Sequence, residues 1–433
     1  MSERRPRRKK APTTPPPTTP TSPPPDFRAE GFTPNERPPW QRPGLIIPIA
    51  VVVLIVCIAV ALLITLNDTQ QAEQPNDNEP NSRASAAPVP SGTPINDIGS
   101  GGALDGGWYQ LYFTAPKYPD NQANHKGGID EKLVALIDTA KTSVDIANYD
   151  FDLANVADAM VRAKGRGATV RMVTDTDTLS NTKDTAIVAA FGKLQKANIP
   201  MVDDKRGPIM HNKFTVVDKT WISTGSWNYT DGDTYRLNNN MIIINSPELA
   251  ANYSSEFVKM FEKRQFGPTK DKTIPNPVVT VNGTRIENCF ASEVRCASQI
   301  VTTIKGSTQS IRFMAFSFTS DPIEAAMVER SKAGVTVSGV FETTGSQTQY
   351  SAYGKLKKEG LPVYTDGNPW MMHHKVIIID DRIVIFGSYN FSDNADTQND
   401  ENLLIVDNPD IARAFKAEFD RVLALAQNPP AKK

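Results

Sequence analysis

"HNKFTVVDKTWISTGSWN", His211 to Asn228, and "HHKVIIIDDRIVIFGSYN", His373 to Asn390, share one skeleton. His, Lys, Asp, Gly, Ser and Asn recur at an offset of 162, in a chain of 433 residues with only four histidines. A spacing kept that strictly predicts two copies of one folding unit, each bringing half of a site. The runs that "HNK" and "HHK" open are apolar and β-branched, which places both on strands. Residues i and i+2 then share a face, so His211 lies beside Lys213 and His373 beside Lys375. Asn212 and His374 point the other way, and His374 reads as a packing or supporting residue. Asp218 and Asp380 fall where one apolar run ends and the next begins, and both read as turn residues. Gly225-Ser226-x-Asn228 and Gly387-Ser388-x-Asn390 then supply a tight turn and two short polar side chains on one face.

Outward from each motif, strands alternate with helices. In the first half "GIDEKLVALIDTA", "VADAMVRAKGRG" and "TAIVAAFGKLQKANI" have helical apolar spacing, while "SVDIANYDF", "ATVRMVTD" and "NNMIIIN" read as strands. The second half repeats the order with "ASQIVTTIKG", "SIRFMAFSF", "IEAAMVERSKAG", "VTVSGVFE" and "NLLIVD". This alternation predicts an α/β class with each central sheet covered on both faces. The repeats are expected over 108–268 and 278–426, joined by the Pro- and Lys-rich segment from Phe266 to Val278.

The N-terminal hundred residues differ. Residues 1–43 are a Pro/Thr tract with nine Lys or Arg against four acids, expected to be disordered. Gly44 to Leu66 is 23 residues without a charge, enough to span about 30 Å of hydrocarbon as a helix. The cluster "RRPRRKK" before it predicts a single-pass anchor with a cytoplasmic N-terminus and an extracytoplasmic body. Residues 67–107 read as a flexible linker.

The net charge of −1 includes the basic excess of the tail, so the rest of the chain carries about six net negative charges. That gives no whole-domain attraction for nucleic acid. Cys57 lies in the apolar span; Cys289 and Cys296, seven apart, form either a small-loop disulfide or two buried thiols. His125, in "NQANHKGGID", lacks the Asp and Gly-Ser-x-Asn that follow the other two motifs and reads as a surface-loop residue.

One half offers an imidazole, an ammonium, a hydroxyl and an amide, and two halves would offer a pair of each. Paired histidines suit a reaction needing a nucleophile and an acid, and paired Lys and Asn suit an anion with several equivalent oxygens. The four His and three Cys are too few and too scattered for metal-ligand spacing, so the expected chemistry is phosphoryl transfer without a metal or other cofactor.

The doubled H-x-K-x4-D-x6-G-S-x-N pattern resembles the signature of the phospholipase D superfamily. The resemblance runs from about Trp108 to Leu425 and implies two tandem α/β/α sandwich repeats forming one pseudo-two-fold body. It also implies that both half-sites lie in one chain, so that no dimer is required. By position, one histidine, usually that of the first half and here His211, would attack phosphorus to form a phosphohistidine. His373 would protonate the leaving alcohol and then activate water. Lys213, Lys375, Asn228 and Asn390 would bind phosphoryl oxygens, with Ser226 and Ser388 helping to position the group. The family often carries an acid eleven residues after the motif Asn. That position is Glu401 in the second half but Asn239 in the first. Glu401 would support His211 across the halves, or else His373 with the roles exchanged.

The resemblance fixes a phosphodiester mechanism better than a substrate. The leading expectation is a phosphodiesterase that hydrolyses or exchanges phospholipid head groups. An extracytoplasmic nuclease, a cardiolipin synthase-like phosphatidyltransferase and an inactive binding protein follow in that order. Trp370 to Met372, just before His373, reads either as an apolar lip or as ordinary packing.

Overall fold

The apolar runs of the two motifs form matching antiparallel hairpins. In the first half, strands β1 (Ala103–Asp105), β2 (Tyr109–Phe113), β3 (Ser143–Asn148), β4 (Thr169–Thr174), β5 (Met201–Asp203), β6 (Lys213–Val217), β7 (Trp221–Gly225) and β8 (Asn240–Asn245) build one sheet. In the second, β9 (Val278–Val281), β10 (Thr284–Ala291), β11 (Ser310–Ala315), β12 (Thr336–Phe341), β13 (Val363–Thr365), β14 (Lys375–Ile379), β15 (Ile383–Gly387) and β16 (Glu401–Asp407) build the other. The orders are β1-β2-β8-β7-β6-β3-β4-β5 and β9-β10-β16-β15-β14-β11-β12-β13, the same path twice, with Thr93–Pro94 added beside β1. The structure, a computed structural model, describes residues 93–94 and 102–430.

Helices fill the connections. In the first half these are α1 (Ile129–Asp138), α2 (Ala154–Gly165), α3 (Thr185–Lys196), α4 (Asp231–Tyr235) and α5 (Pro247–Phe261). In the second they are α6 (Cys296–Lys305), α7 (Asp321–Lys332), α8 (Ala352–Lys358), α9 (Asp393–Thr397) and α10 (Pro409–Gln427). The parallel pairs β3–β4 and β11–β12 require crossovers, which α2 and α7 supply. Every residue of β6 and of β14 is buried, as expected for strands covered on both faces.

Helices α5 and α10 start alike. Pro247 and Pro409 sit in their first turns, and the capping side chains of Ser246 and Asn408 accept from Leu249 N–H and from Asp410 and Ile411 N–H. Tyr253, Phe257 and Met260 of α5 and Phe415, Phe419 and Val422 of α10 share one core with the inner faces of both sheets. Two further cores lie under α1–α3 and under α6–α8. The halves are therefore joined by a continuous apolar layer rather than tethered by a hinge.

The segment read as a joint is partly internal. Lys270 is fully buried and ion-paired with Glu256, with Glu293 at 3.0 Å and with Asp400 at 2.7 Å. Burial opposes its charge, but Asp400, Glu256 and Glu293 raise its pKa well above the ordinary lysine value. Cys289 and Cys296 are disulfide-bonded, joining the end of β10 to the start of α6. Ala103–Asp105, inside the stretch expected to be linker, pairs with Gln110–Tyr112 in the sheet.

The single-pass membrane localisation expected from Gly44 to Leu66 is corrected. Among the described residues no helix is long and apolar enough to cross a membrane. Residues 1–43, the apolar stretch itself and most of the linker lie outside the described residues. Charge-free length permits a span but does not establish one.

Candidate active site

The motif histidines stand just before β6 and β14, held by the opposite half. His211 N–H donates to Asp400 O at 2.9 Å, and His373 N–H donates to Asn238 O at 3.0 Å. Beside these bonds, Met210 bridges Asp400, and Met371–Met372 pairs with Leu237–Asn238. Main-chain pairing between the halves thus sets where both imidazoles begin.

The side chains follow the same reciprocity. Nδ1 of His211 lies 2.7 Å from Glu401 Oε2, and Nδ1 of His373 lies 3.0 Å from Asn239 Oδ1. Ser388 Oγ donates to Glu401 Oε2 at 2.6 Å, and Ser226 Oγ donates to Asn239 Oδ1 at 2.8 Å. The two serines therefore hold the residues that hold the histidines. The ammonium groups of Lys213 and Lys375 fold back onto the main-chain oxygens of His211 and His373, at 3.0 and 3.1 Å.

The intervening residues point away, as pleating requires. Asn212 Oδ1 accepts from Asn402 Nδ2. His374 lies between Asn240, 2.9 Å from its Nδ1, and Glu418, 3.0 Å from its Nε2. Burial, against the pull of Glu418, leaves the His374 pKa below that of an ordinary imidazole.

Asp218 and Asp380 lie at the far ends of these strands. Asp218 accepts from the N–H groups of Lys141, Thr142 and Ser143, and Asp380 from those of Thr308, Gln309 and Ser310. Each begins a hairpin turn of two successive left-handed residues, with φ of 52° and 53° at Asp218 and Lys219. Burial works against both carboxylates, yet these N–H donors hold them below the usual range. Gly225 and Gly387 are required by close approach: a Cβ would meet Asn240 O at 2.2 Å and Asn402 O at 2.3 Å.

Three residues were missed in the sequence. Tyr149 packs edge-on against His211 and lies 5.2 Å from Lys213 Nζ. Phe316 does the same for His373 and lies 4.5 Å from Lys375 Nζ. Both directly follow the strand that pairs with the motif strand, β3 or β11, in "ANYDF" and "MAFSF", and their equivalent places are the available signal. The third is Asp233, whose Oδ1 lies 3.3 Å from His373 Nδ1 and accepts from Asn228 N–H and Asn239 Nδ2, each at 3.1 Å. Burial pushes this carboxyl up, but the His373 hydrogen bond, with the charge of Lys213, leaves it below its ordinary value. Asn228 Oδ1 is buried without a hydrogen-bond partner among the described residues, which suits contact with a ligand.

Among the described residues no group of three or more His, Cys, Asp or Glu is placed to hold a metal ion. Each imidazole meets acceptors from the other half, Glu401 for His211 and Asn239 with Asp233 for His373, an arrangement suited to nucleophilic or acid–base work. The chain belongs to the phospholipase D superfamily. Its match to the family described as "Cardiolipin synthase, PLD-like domain" covers residues 133–261 and 300–423, one stretch in each half.

Relatives agree with that assignment. "Phospholipase D" of Rickettsia bellii is 26% identical over 165 residues, which is 38% of this chain and 81% of that protein. "Mitochondrial cardiolipin hydrolase" of Homo sapiens is 32% identical over 125 residues, 29% of this chain and 50% of that protein. The solved phosphatidylserine synthase of Haemophilus influenzae shares the fold, with a TM-score of 0.54 and 12% identity over 69% of this chain and 84% of that one.

Proposed function

We propose that this protein is a phosphodiesterase of the phospholipase D type that cleaves phospholipid head groups. It hydrolyses the phosphodiester, or passes the phosphatidyl group to another alcohol, through a covalent phosphohistidine and without a metal ion. The observation that carries the reading is the reciprocal seating of the histidines, each with Nδ1 on an acceptor from the other half. An imidazole held at Nδ1 presents Nε2 to a reacting group.

His211, backed directly by the Glu401 carboxylate, is the nucleophile. Its Nε2 forms a bond to phosphorus as the bond to the leaving oxygen breaks, and His373 gives that oxygen its proton. Water then enters, loses a proton to His373 and attacks phosphorus, releasing His211 and a phosphomonoester. Lys213, Lys375, Asn228 and Asn390 hold the non-bridging oxygens, where their charges and dipoles oppose the charge that builds up. The names of the relatives favour a phospholipid substrate, and exposed Trp370, packed edge-on with Tyr118 and three residues before His373 in the chain, suits an apolar one.

The test is an assay of the full chain in EDTA against vesicles of phosphatidylcholine, phosphatidylethanolamine or cardiolipin, with single-stranded DNA and RNA alongside. Head-group release that His211→Ala abolishes is expected. Trapping of an acid-labile phosphoenzyme by His373→Ala, and not by His211→Ala, is the accompanying result. Loss of all activity in EDTA would overturn the metal-free mechanism. Cleavage of nucleic acid alone would overturn the lipid substrate.

A further inference from the structure

The offset of 162 that aligns the motifs also aligns two positions that differ between the halves. Glu401 matches Asn239, and Ala395 matches Asp233. The second half thus has a carboxylate at the later position and none at the earlier, and the first half has the reverse. Both earlier positions lie on equivalent five-residue helices, α4 and α9, so the exchange occurs within one local frame.

Asn239 alone would offer His373 a neutral acceptor. Its amide is oriented by what surrounds it: Nδ2 donates to Asp233 Oδ1 at 3.1 Å and to Asp233 O at 3.2 Å. This turns Oδ1 towards Ser226 Oγ and His373 Nδ1. Asp233 Oδ1 itself lies within 3.3 Å of the same ring nitrogen. We propose that Asp233 is the positioning residue for His373, its charge reaching the imidazole directly and through the amide of Asn239. The pair Asp233–Asn239 does for His373 what Glu401 alone does for His211.

The difference between the two arrangements matches the two tasks. His211 is backed at 2.7 Å by a full carboxylate, which suits a nucleophile. His373 must give a proton and then take one, and it faces a carboxylate whose charge is shared with an amide and the Asn228 N–H. Other groups near His373 include Lys375, bonded to its main-chain oxygen, and the Phe316 ring at 4.7 Å, while the charge of Lys213 acts on Asp233. Asp233, negative and 3.3 Å from Nδ1, favours imidazolium.

The kinetic half of the test rests on the phosphodiesterase reading, and the spectroscopic half does not. Imidazole resonances of the full chain are followed against pH, which four histidines make tractable. Asp233→Asn should move the His373 midpoint down by about 1 to 3 pH units and leave His211 in place. It should also lower kcat roughly 10²-fold. The double substitution Asp233→Asn with Asn239→Asp returns a carboxylate to the aligned position and should restore both readouts. An unmoved His373 midpoint in Asp233→Asn, or no recovery in the double substitution, overturns the proposal. Should Asp233→Asn fail to fold, a folded double substitution with the wild-type His373 titration supports it, and an unfolded one overturns it. Absence of turnover on every substrate would count against the activity alone.

Discussion

Glu401 Oε2 lies 2.7 Å from Nδ1 of His211, a residue 190 positions earlier and in the other half of the molecule. Neither half can seat its own histidine by itself, so the site exists only when the two sheets are packed together. Glu401→Gln keeps an acceptor for the ring and for Ser388 but removes the charge. With Glu401 supporting the nucleophile, kcat is expected to fall by roughly 10²-fold or more while KM changes little. Steady-state kinetics check this; a rise in KM at constant kcat would assign Glu401 to binding instead.

Asp218 and Asp380 stand in the signature but serve the fold. Each holds three consecutive main-chain N–H groups at a loop entering β3 or β11. Asp218→Ala and Asp380→Ala are each expected to cost about 1 to 3 kcal/mol of stability, the range for lost hydrogen bonds to a charged acceptor. Denaturant titration measures the loss, and kcat per folded molecule should stay within about twofold of the parent on the same reasoning.

Lys270 pairs with all three of Glu256, Glu293 and Asp400 in a buried cluster, where Lys259 also meets the two glutamates and Arg206 meets Asp400. Lys270→Met leaves these carboxyls without it and is expected to destabilise the protein by about 3 to 5 kcal/mol. Activity should fall with it, because Asp400 carries the main-chain oxygen that receives His211 N–H. Normal thermal stability in Lys270→Met would show that the cluster neutralises itself by protonation.

Stability should rise on mild acidification. Burial pushes Asp152 and Asp175 up to about 7 and Asp204 and Asp366 up to about 6. A carboxyl raised in the folded state contributes stability below its unfolded pKa, and that contribution is lost as pH rises through the folded value. His125 acts in the same sense: burial opposes its charge, but Asp120 and Asp231 raise its pKa. Asp218 and Asp380, lowered in the folded state, contribute above their unfolded values and lose this on strong acidification. Tm is therefore expected to be higher near about pH 5.5 than at about pH 8, and to fall below about pH 4. Calorimetry across that range checks it, and a Tm that climbs steadily to pH 8 would contradict it.

His125 shows where local reading stops. The absence of a following motif excluded it from chemistry, yet it is no idle surface residue. Its ring is stacked on Tyr235 at 4.3 Å and bonded to Asp120 and Asp231, whose helix α4 also carries Asp233. Asp233 lies outside the motif, and the motif's own acid position, eleven residues after the Asn, shows only Asn239 in the first half. The compensating carboxylate is six residues earlier, and only the folding of α4 against the strand brings it back to the same imidazole.

The sequence by itself determined the duplication, the alternation of strands and helices, and the two His–Lys pairs. Each depends on near neighbours: pleating places i and i+2 together, and apolar periodicity selects the element. The tertiary structure decided which acid serves which histidine, that the serines secure those acceptors, and that Lys270 is internal. These contacts join residues from 13 to 190 positions apart and are made when α5 and α10 bury their apolar faces against both sheets. Their distances follow from packing, which no local pattern encodes.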